Sequence, residues 1–154
     1  MDNMCRLGFL AAELLLNDFK TRGYKPSEVG VVLSNASASL DTDIKYYKTT
    51  NDIASPALFV YTLPNIVIGE ICIRHHFKGE NGFFITEKFD PEFTVQYVNS
   101  LFNNNVLEAC VCGWIELFGD TFKTVLILVE RVAGSEKINF NKENLNNIYQ
   151  SDNG

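Results

Sequence analysis

The side chains best suited to acid-base or nucleophilic chemistry in this 154-residue chain lie between positions 75 and 88. His75 and His76 are adjacent, and imidazole can act as a base or a metal ligand. Neighbours on a helix point about 100° apart, however, so they rarely share one site, and no HxxxH or HExxH spacing is present. We therefore expect a structural or solvated role for both histidines. Glu87 could act as a base or pair with Lys88, although a charged strand end explains the two residues more simply.

The four cysteines predict buried free thiols. They stand at Cys5, Cys72, Cys110 and Cys112, without the paired spacing of zinc ligands. Cys110 and Cys112 lie two residues apart in an apolar run, so on a strand both would point to one face. The sequence therefore predicts no metal and no cofactor, and free thiols fit a reducing, cytoplasmic setting.

Other familiar motifs are absent. Ser34, Ser37 and Ser39 lack the G-x-S-x-G elbow of a hydrolase, and residues 78–81, KGEN, hold one glycine where a phosphate-cradling loop needs more. The net charge of −6 disfavours nucleic acid, because phosphate binding needs clustered lysine and arginine. No apolar stretch is long enough to span a membrane. We expect a soluble protein.

The segments around these residues alternate between helical and strand patterns. Apolar residues recur at spacings of three and four near the amino terminus, and short valine-rich runs follow. The predicted helices cover residues 4–22, a polar segment capped by Asp41 or Thr42, residues 64–78 after an aromatic loop at 54–64, and a segment opened by Asp90-Pro91. The predicted strands cover residues 29–36, 82–87, 106–117 and 122–132.

The end of the chain has two features. Gly119-Asp120, between the last two strands, favours a tight antiparallel hairpin. Beyond Gly134 the sequence is polar and rich in asparagine, which predicts a frayed tail or a short helix. The chain is thus expected to form one layered α/β domain over residues 1–133, followed by a polar tail over residues 134–154.

An ordered set of motifs runs through residues 4–132. A strand with a small-residue end, VGVVLSNASAS, is followed by Leu63-Pro64-Asn65, Gly69 and the turn at residues 78–81, and later by Gly113-Trp114. This series resembles the amino-terminal half of β-ketoacyl-acyl-carrier-protein synthases, which have the thiolase-like fold. The resemblance implies half of a thiolase-like α/β fold: a layered mixed sheet, flanked by helices and ending in an antiparallel hairpin.

The chain departs from that family where the chemistry should be. Counting from Asn81 places the family's nucleophilic cysteine at Lys88, and a lysine attacks carbonyls only when its pKa is depressed. The family's two catalytic histidines belong to its second half, and His75 and His76 do not match their motifs. The first strand expected before the opening helix also has no counterpart. The resemblance therefore implies a scaffold without catalytic residues.

The resemblance also implies a partner. Family dimers pair across the strand before the nucleophile, and residues 82–87, GFFITE, occupy that place as a β-prone stretch that is a liability when left as a free edge. Chain-length factors resemble a synthase with its cysteine replaced, and they pair with an active synthase. By this analogy the dimer interface contains Phe83, Phe84 and Ile85. An acyl channel would be bordered by Phe59, Tyr61 and Phe89.

Three functional hypotheses remain open. The first is a catalytically inert accessory or dimerisation subunit of fatty-acid, polyketide or polyene synthesis, present as a homodimer or paired with a full-length ketoacyl synthase. The second is an acyltransferase component that is active only when a partner supplies the missing residues, with Lys88 or Cys72 as the positions to substitute. The third is a stand-alone module that binds acyl chains or acyl carrier protein.

Overall fold

One mixed sheet of four strands forms the centre of the computed structural model, which describes residues 1–19, 23–132 and 138–151. The strands lie in the order β2-β1-β3-β4. Strand β1 pairs in parallel with both β2 and β3, and β3 pairs antiparallel with β4. The predicted mixed sheet and its closing hairpin are therefore confirmed. The strands are β1 (Val29–Asn35), β2 (Asn81–Ile85), β3 (Ala109–Phe118) and β4 (Thr121–Glu130).

Helices cover both faces of the sheet. Helices α1 (Asn3–Leu15) and α4 (Ile66–His75) share a buried cluster with Val31 and Leu33 of β1. On the opposite face, Val32 packs in a cluster that includes residues of α5 (Pro91–Asn103). Strand β1 is buried at every position, which explains why residues 29–33 are continuously apolar rather than alternating.

The remaining helices are shorter or polar. Helices α2 (Leu40–Thr49) and α3 (Pro56–Phe59), with a 3-10 turn at Val60–Thr62, lie in the connection from β1 to β2. Helix α6 (Lys142–Gln150) falls within the polar tail and buries Leu145 against Phe89 and Trp114.

Helix α1 is shorter than predicted. It ends at Leu15 instead of near position 22, and residues 20–22 lie outside the described part of the chain. Asn17 and Asp18 follow the end, and such side chains compete with the helix by bonding to nearby backbone. The ring of Phe19 stacks on Tyr24 with centroids 5.7 Å apart, so this side chain belongs to the turn and not to the helix.

Two other predictions about the first crossover are wrong. Residues 54–64 are not an open loop, because Ser55 Oγ accepts a hydrogen bond from Leu58 N at 3.3 Å and begins α3. Helix α2 begins after Ser39, so neither Asp41 nor Thr42 is its cap. The Thr42 hydroxyl instead donates to Asp2 Oδ2 at 2.6 Å, which joins α2 to the start of α1.

Helix α4 has different ends from those predicted. It begins at Ile66 rather than Pro64 and stops at His75, because His76 adopts a left-handed conformation with φ of 60°. Histidine is one of the few residues besides glycine that adopts this conformation with some frequency. The backbone N–H groups of His76 and Phe77 both donate to Cys72 O, which closes the helix.

Local turn and cap signals were read correctly further along the chain. Asp90 Oδ1 accepts a hydrogen bond from Phe93 N at 3.0 Å, so it caps α5 as predicted. In the hairpin, Gly113 has φ of 148°, and a Cβ there would collide with the carbonyl oxygen of Val125. That position of β3 therefore requires glycine.

No single helix of the described chain has the length and apolar composition of a membrane span. The bent pair formed by Pro56–Thr62 and Ile66–His75 meets those two criteria only when taken together.

Candidate functional site

The carboxyl ends of β2, β1 and β3 meet at one edge of the sheet. Ligand sites in open α/β sheets lie at this edge. Asn35 lies opposite Ile85, and Ser34 lies opposite Trp114. Continuing this register places Ala36 beyond the end of β1, between Thr86 after β2 and Glu116 on β3. The candidate site is built around this row of three residues.

A tight loop follows β1 in the middle of the row. Asn35 is fully buried, and its amide nitrogen donates to Ala38 O at 2.8 Å while its Oδ1 accepts from Ala38 N at 3.0 Å. These bonds hold Ala38 at φ of 50°, a conformation that is uncommon outside glycine. The loop is therefore fixed by a side chain from within the core.

The backbone donors of this loop are occupied by a carboxylate. Glu116 Oε2 accepts hydrogen bonds from Ala36 N at 2.7 Å and from Ser37 N at 3.2 Å. Two neighbouring N–H groups are the usual means of binding an oxyanion. Here the protein's own Glu116 fills that position, so the pair is not available to a substrate oxygen in this conformation.

Two polar atoms remain unpartnered on either side of Ala36. Thr86 Oγ1 and Glu116 Oε1 are both buried and make no hydrogen bond within the described residues. The Thr86 backbone N–H donates to Asn35 O at 2.9 Å, which ties the end of β2 to the same loop. Unsatisfied buried polar groups are uncommon and mark places where water or a ligand group is needed.

Lys88, at the predicted position of the nucleophile, lies close to this row in the chain but is exposed to solvent. Glu87 and Lys88 are both exposed on the segment that joins β2 to α5. Activated lysine nucleophiles are desolvated or lie beside another cation. Lys88 is exposed to solvent and so is not desolvated in this way.

The thiols are poorly placed to replace the missing nucleophile. Cys5, Cys110 and Cys112 are buried, and Cys72 is half-buried. Burial raises the pKa of Cys72 to about 11, and its Sγ lies 3.6 Å from Asn81 Oδ1. The hydrogen bond with Cys110, together with burial, raises the pKa of Cys112, and burial raises that of Cys5. All three shifts favour the unreactive thiol.

The three residues expected to border an acyl channel are not all brought together. Phe59 is 59% exposed and its ring lies 5.4 Å from that of Tyr46. Tyr61 packs against the α1–α4 cluster, and its hydroxyl donates to Glu70 Oε1 at 3.2 Å. Phe89 belongs to a cluster with Trp114 and α6, on the other face of the sheet.

The predicted interface residues lie on an edge strand. Strand β2 pairs only with β1, so its outer side is open within the described chain. Phe84 points inward and meets the rings of Phe93 and Tyr97 at 4.8 and 5.0 Å. Phe83 is half-buried against the α1–α4 cluster. Ile85 is 51% exposed and is the best placed of the three for a contact.

His75 joins two helices, and neither histidine reaches the carboxyl edge. His75 Nε2 lies 3.0 Å from Glu13 Oε1 on α1, and the Arg74 guanidinium donates to both oxygens of the same carboxylate at 2.9 Å. The His75 ring stacks on Phe77 with centroids 5.4 Å apart. This arrangement fastens α4 to α1.

Sequence reasoning missed Asn35 and Glu116. Glu116 was the one acid in the otherwise apolar strand Ala109–Phe118, and a lone carboxylate among strand residues is a signal that could have been followed. Asn35 lay in a small-residue turn whose buried side chain could not be foreseen.

Comparison with known proteins identifies the fold. No family model and no curated protein sequence matches the chain. The solved structure of the ishigamide ketosynthase/chain length factor superposes with a TM-score of 0.66 and 22% sequence identity. The superposition covers 77% of this chain and 35% of that one, so the chain spans about a third of its neighbour's length. The resemblance read from the motifs is confirmed at the level of fold: the fold of this chain is similar to that of a ketosynthase/chain length factor.

Proposed function

We propose that the chain is a ketosynthase-like accessory subunit that does not itself catalyse condensation. It would serve fatty-acid, polyketide or polyene synthesis by pairing with a full-length ketosynthase or with a second copy of itself. The observation that carries this proposal is the state of the carboxyl edge. Lys88 is exposed at the position of the family nucleophile, and Glu116 fills the neighbouring pair of backbone N–H groups.

Condensation by this class of enzyme needs a nucleophile that takes up the acyl group and donors that polarise its carbonyl. The raised thiol pKa values disfavour a substitute nucleophile. The internal carboxylate would also repel a developing oxyanion at the same two N–H groups. Both features support a role in assembly rather than in chemistry.

Pairing would use the outer side of β2. The bonds from Thr86 N to Asn35 O and from Val31 N to Glu80 O show which residues face β1. Because successive residues alternate between the two neighbours, the backbone groups of Phe83 and Ile85 face outward. A partner strand could pair with them without disturbing β1.

The test is affinity capture from the source organism, followed by identification of bound proteins by mass spectrometry. Three baits are compared: the natural chain, Ile85→Lys, and Ile73→Lys as a control. Ile73 is 75% exposed on α4, away from β2. The natural chain and the control should retain a cysteine-bearing ketosynthase or a second copy, and Ile85→Lys should lose it, since an edge lysine blocks strand pairing.

Two results would contradict the proposal. Retention of the same partner by Ile85→Lys would exclude pairing through β2. Capture of acyl carrier protein alone by all three baits would instead favour a stand-alone binding module.

A further inference from the structure

The sheet has a second open edge, on β4. Arg131 N donates to Glu108 O at 2.9 Å. In an antiparallel pair, residues that bond to the neighbouring strand alternate with residues that face away from it, so this bond shows which residues of β4 bond to β3. Residues 127 and 129 therefore bond to β3, while the backbone groups of Leu126 and Leu128 face away from the sheet. These outward groups have no backbone partner within the described residues.

A groove of about 640 Å³ runs along this edge. Leu126 and Leu128 pack toward α1, whose Leu15 forms one wall. The other wall belongs to the layer on the opposite face of the sheet and contains Phe102, Phe140, Leu145 and Ile148. Because its two walls come from opposite faces of the sheet, the groove passes around the open edge of β4.

The charged side chains that line the groove already have partners. Glu130 Oε1 accepts a hydrogen bond from the Tyr24 hydroxyl at 2.9 Å. Arg131 pairs with Glu108 at 2.9 Å. The other polar side chains in the lining are neutral amides. A partner that fits this surface is therefore apolar and uncharged where it enters, since an unpaired charge would be desolvated without compensation.

We propose that the groove receives an extended, uncharged, apolar segment of another polypeptide, which adds to β4 as a fifth strand. An alkyl ligand of the same volume would fill the walls but leave the N–H and C=O groups of Leu126 and Leu128 unpaired. A peptide strand satisfies both requirements, because its backbone pairs with the edge while alternate side chains meet the two walls. This proposal concerns the edge opposite β2 and does not depend on the accessory role.

The test uses a fluorescent peptide with the sequence of residues 124–129, TVLILV, with both termini blocked, which is β-prone and uncharged. Its control carries N-methyl groups on the leucine and isoleucine equivalent to Leu126 and Ile127, one on each edge of the peptide. The control should bind at least about tenfold more weakly, because it lacks one backbone donor on whichever edge pairs with β4. Binding should slow the amide exchange of Leu126 and Leu128 in the full chain.

A protein variant gives an independent reading. Leu126→Pro removes an outward donor but no bond to β3, so it should weaken peptide binding while the hairpin persists. If this variant does not fold, the two peptides decide the question alone. Equal binding of both peptides, or no binding at about 0.1 mM, would overturn the proposal. Equal binding would mean that the groove takes apolar groups without strand pairing.

Discussion

At the scale of single residues, Glu116 has the largest influence on what the carboxyl edge can do. One of its oxygens closes the loop after β1, and the other is buried without a partner among the described residues. Thr86 contributes a second unpartnered atom on the far side of Ala36. A pair of N–H groups that already binds the protein's own carboxylate is not open to a substrate oxygen. Any nucleophile in this chain would have to be one of the cysteine thiols.

Cys72 is the one thiol that is not fully buried, and its pKa gives a direct prediction. With a pKa of about 11 instead of 9.0, its thiolate fraction at pH 8 falls about a hundredfold. Iodoacetamide should modify folded Cys72 about a hundredfold more slowly than a small free thiol, and the rate should rise with pH toward 11. Cys72→Ser identifies the signal, and unfolding in urea should abolish the difference. Rapid modification at pH 8 would reopen Cys72 as a nucleophile.

At the scale of elements, the contact between α1 and α4 depends on a glycine. A Cβ at Gly8 would collide with Val67 Cγ2 and would lie 2.7 Å from Ile115 Cδ1, whereas the same atom at Gly69 would meet nothing within 4 Å. The close approach brings Glu13 within reach of Arg74 and His75. Helix packing and the ion pairs thus support the same contact.

The two glycines form a matched pair for mutation. Gly8→Ala gains helix propensity of about 1 kcal/mol but overpacks the core at a cost of about 1–3 kcal/mol, so unfolding in urea should show a net loss of up to about 2 kcal/mol. Gly69→Ala should gain up to about 1 kcal/mol from propensity alone. A stabilising Gly8→Ala would mean that the helices are not closely packed.

The elements also show what could be read from sequence. The Asp90-Pro91 helix start and the Gly119-Asp120 hairpin were predicted correctly, because these signals act over a few residues. The end of α1 and the helix at Pro56–Phe59 were not, since weak local preferences there compete with packing. The position of Phe89 beneath α6 depends on contacts with Trp114 and Tyr149, and no local pattern encodes such distant pairs. The proposed site likewise depends on alignment of three strands from separate parts of the chain.

At the scale of the whole molecule, α6 completes the layer that holds the only tryptophan. Trp114 is 3% exposed, and its ring contacts Phe89 and Tyr149 with centroids 6.0 and 6.4 Å apart. Lys123 lies over the Tyr149 ring at 3.9 Å from its centroid. Although the sequence of α6 is mostly polar, its Tyr149 makes an aromatic contact with the core.

The single tryptophan makes that contact measurable. Leu145, which is 2% exposed, becomes a buried charge in Leu145→Asp, and the cost of burying it should release α6. Trp114 emission should shift to the red and become accessible to acrylamide, while circular dichroism loses only the signal of one short helix. Lys142→Ala, which breaks an exposed pair with Glu92, should leave the emission unchanged. An unshifted Leu145→Asp spectrum would show that α6 does not cover Trp114.

The position of β1 at the centre of the sheet has a consequence for biosynthesis. Val31 bonds to Asn81 across 50 positions of the chain, and Ser34 bonds to Gly113 across 79. A ribosome therefore releases this buried strand, which is apolar over residues 29–33, long before it has made either neighbour, and pairing over such separations is slow. The hairpin Ala109–Glu130 forms within microseconds of its synthesis. The slower step is its pairing with β1, and this is the step at which we expect chaperones to act.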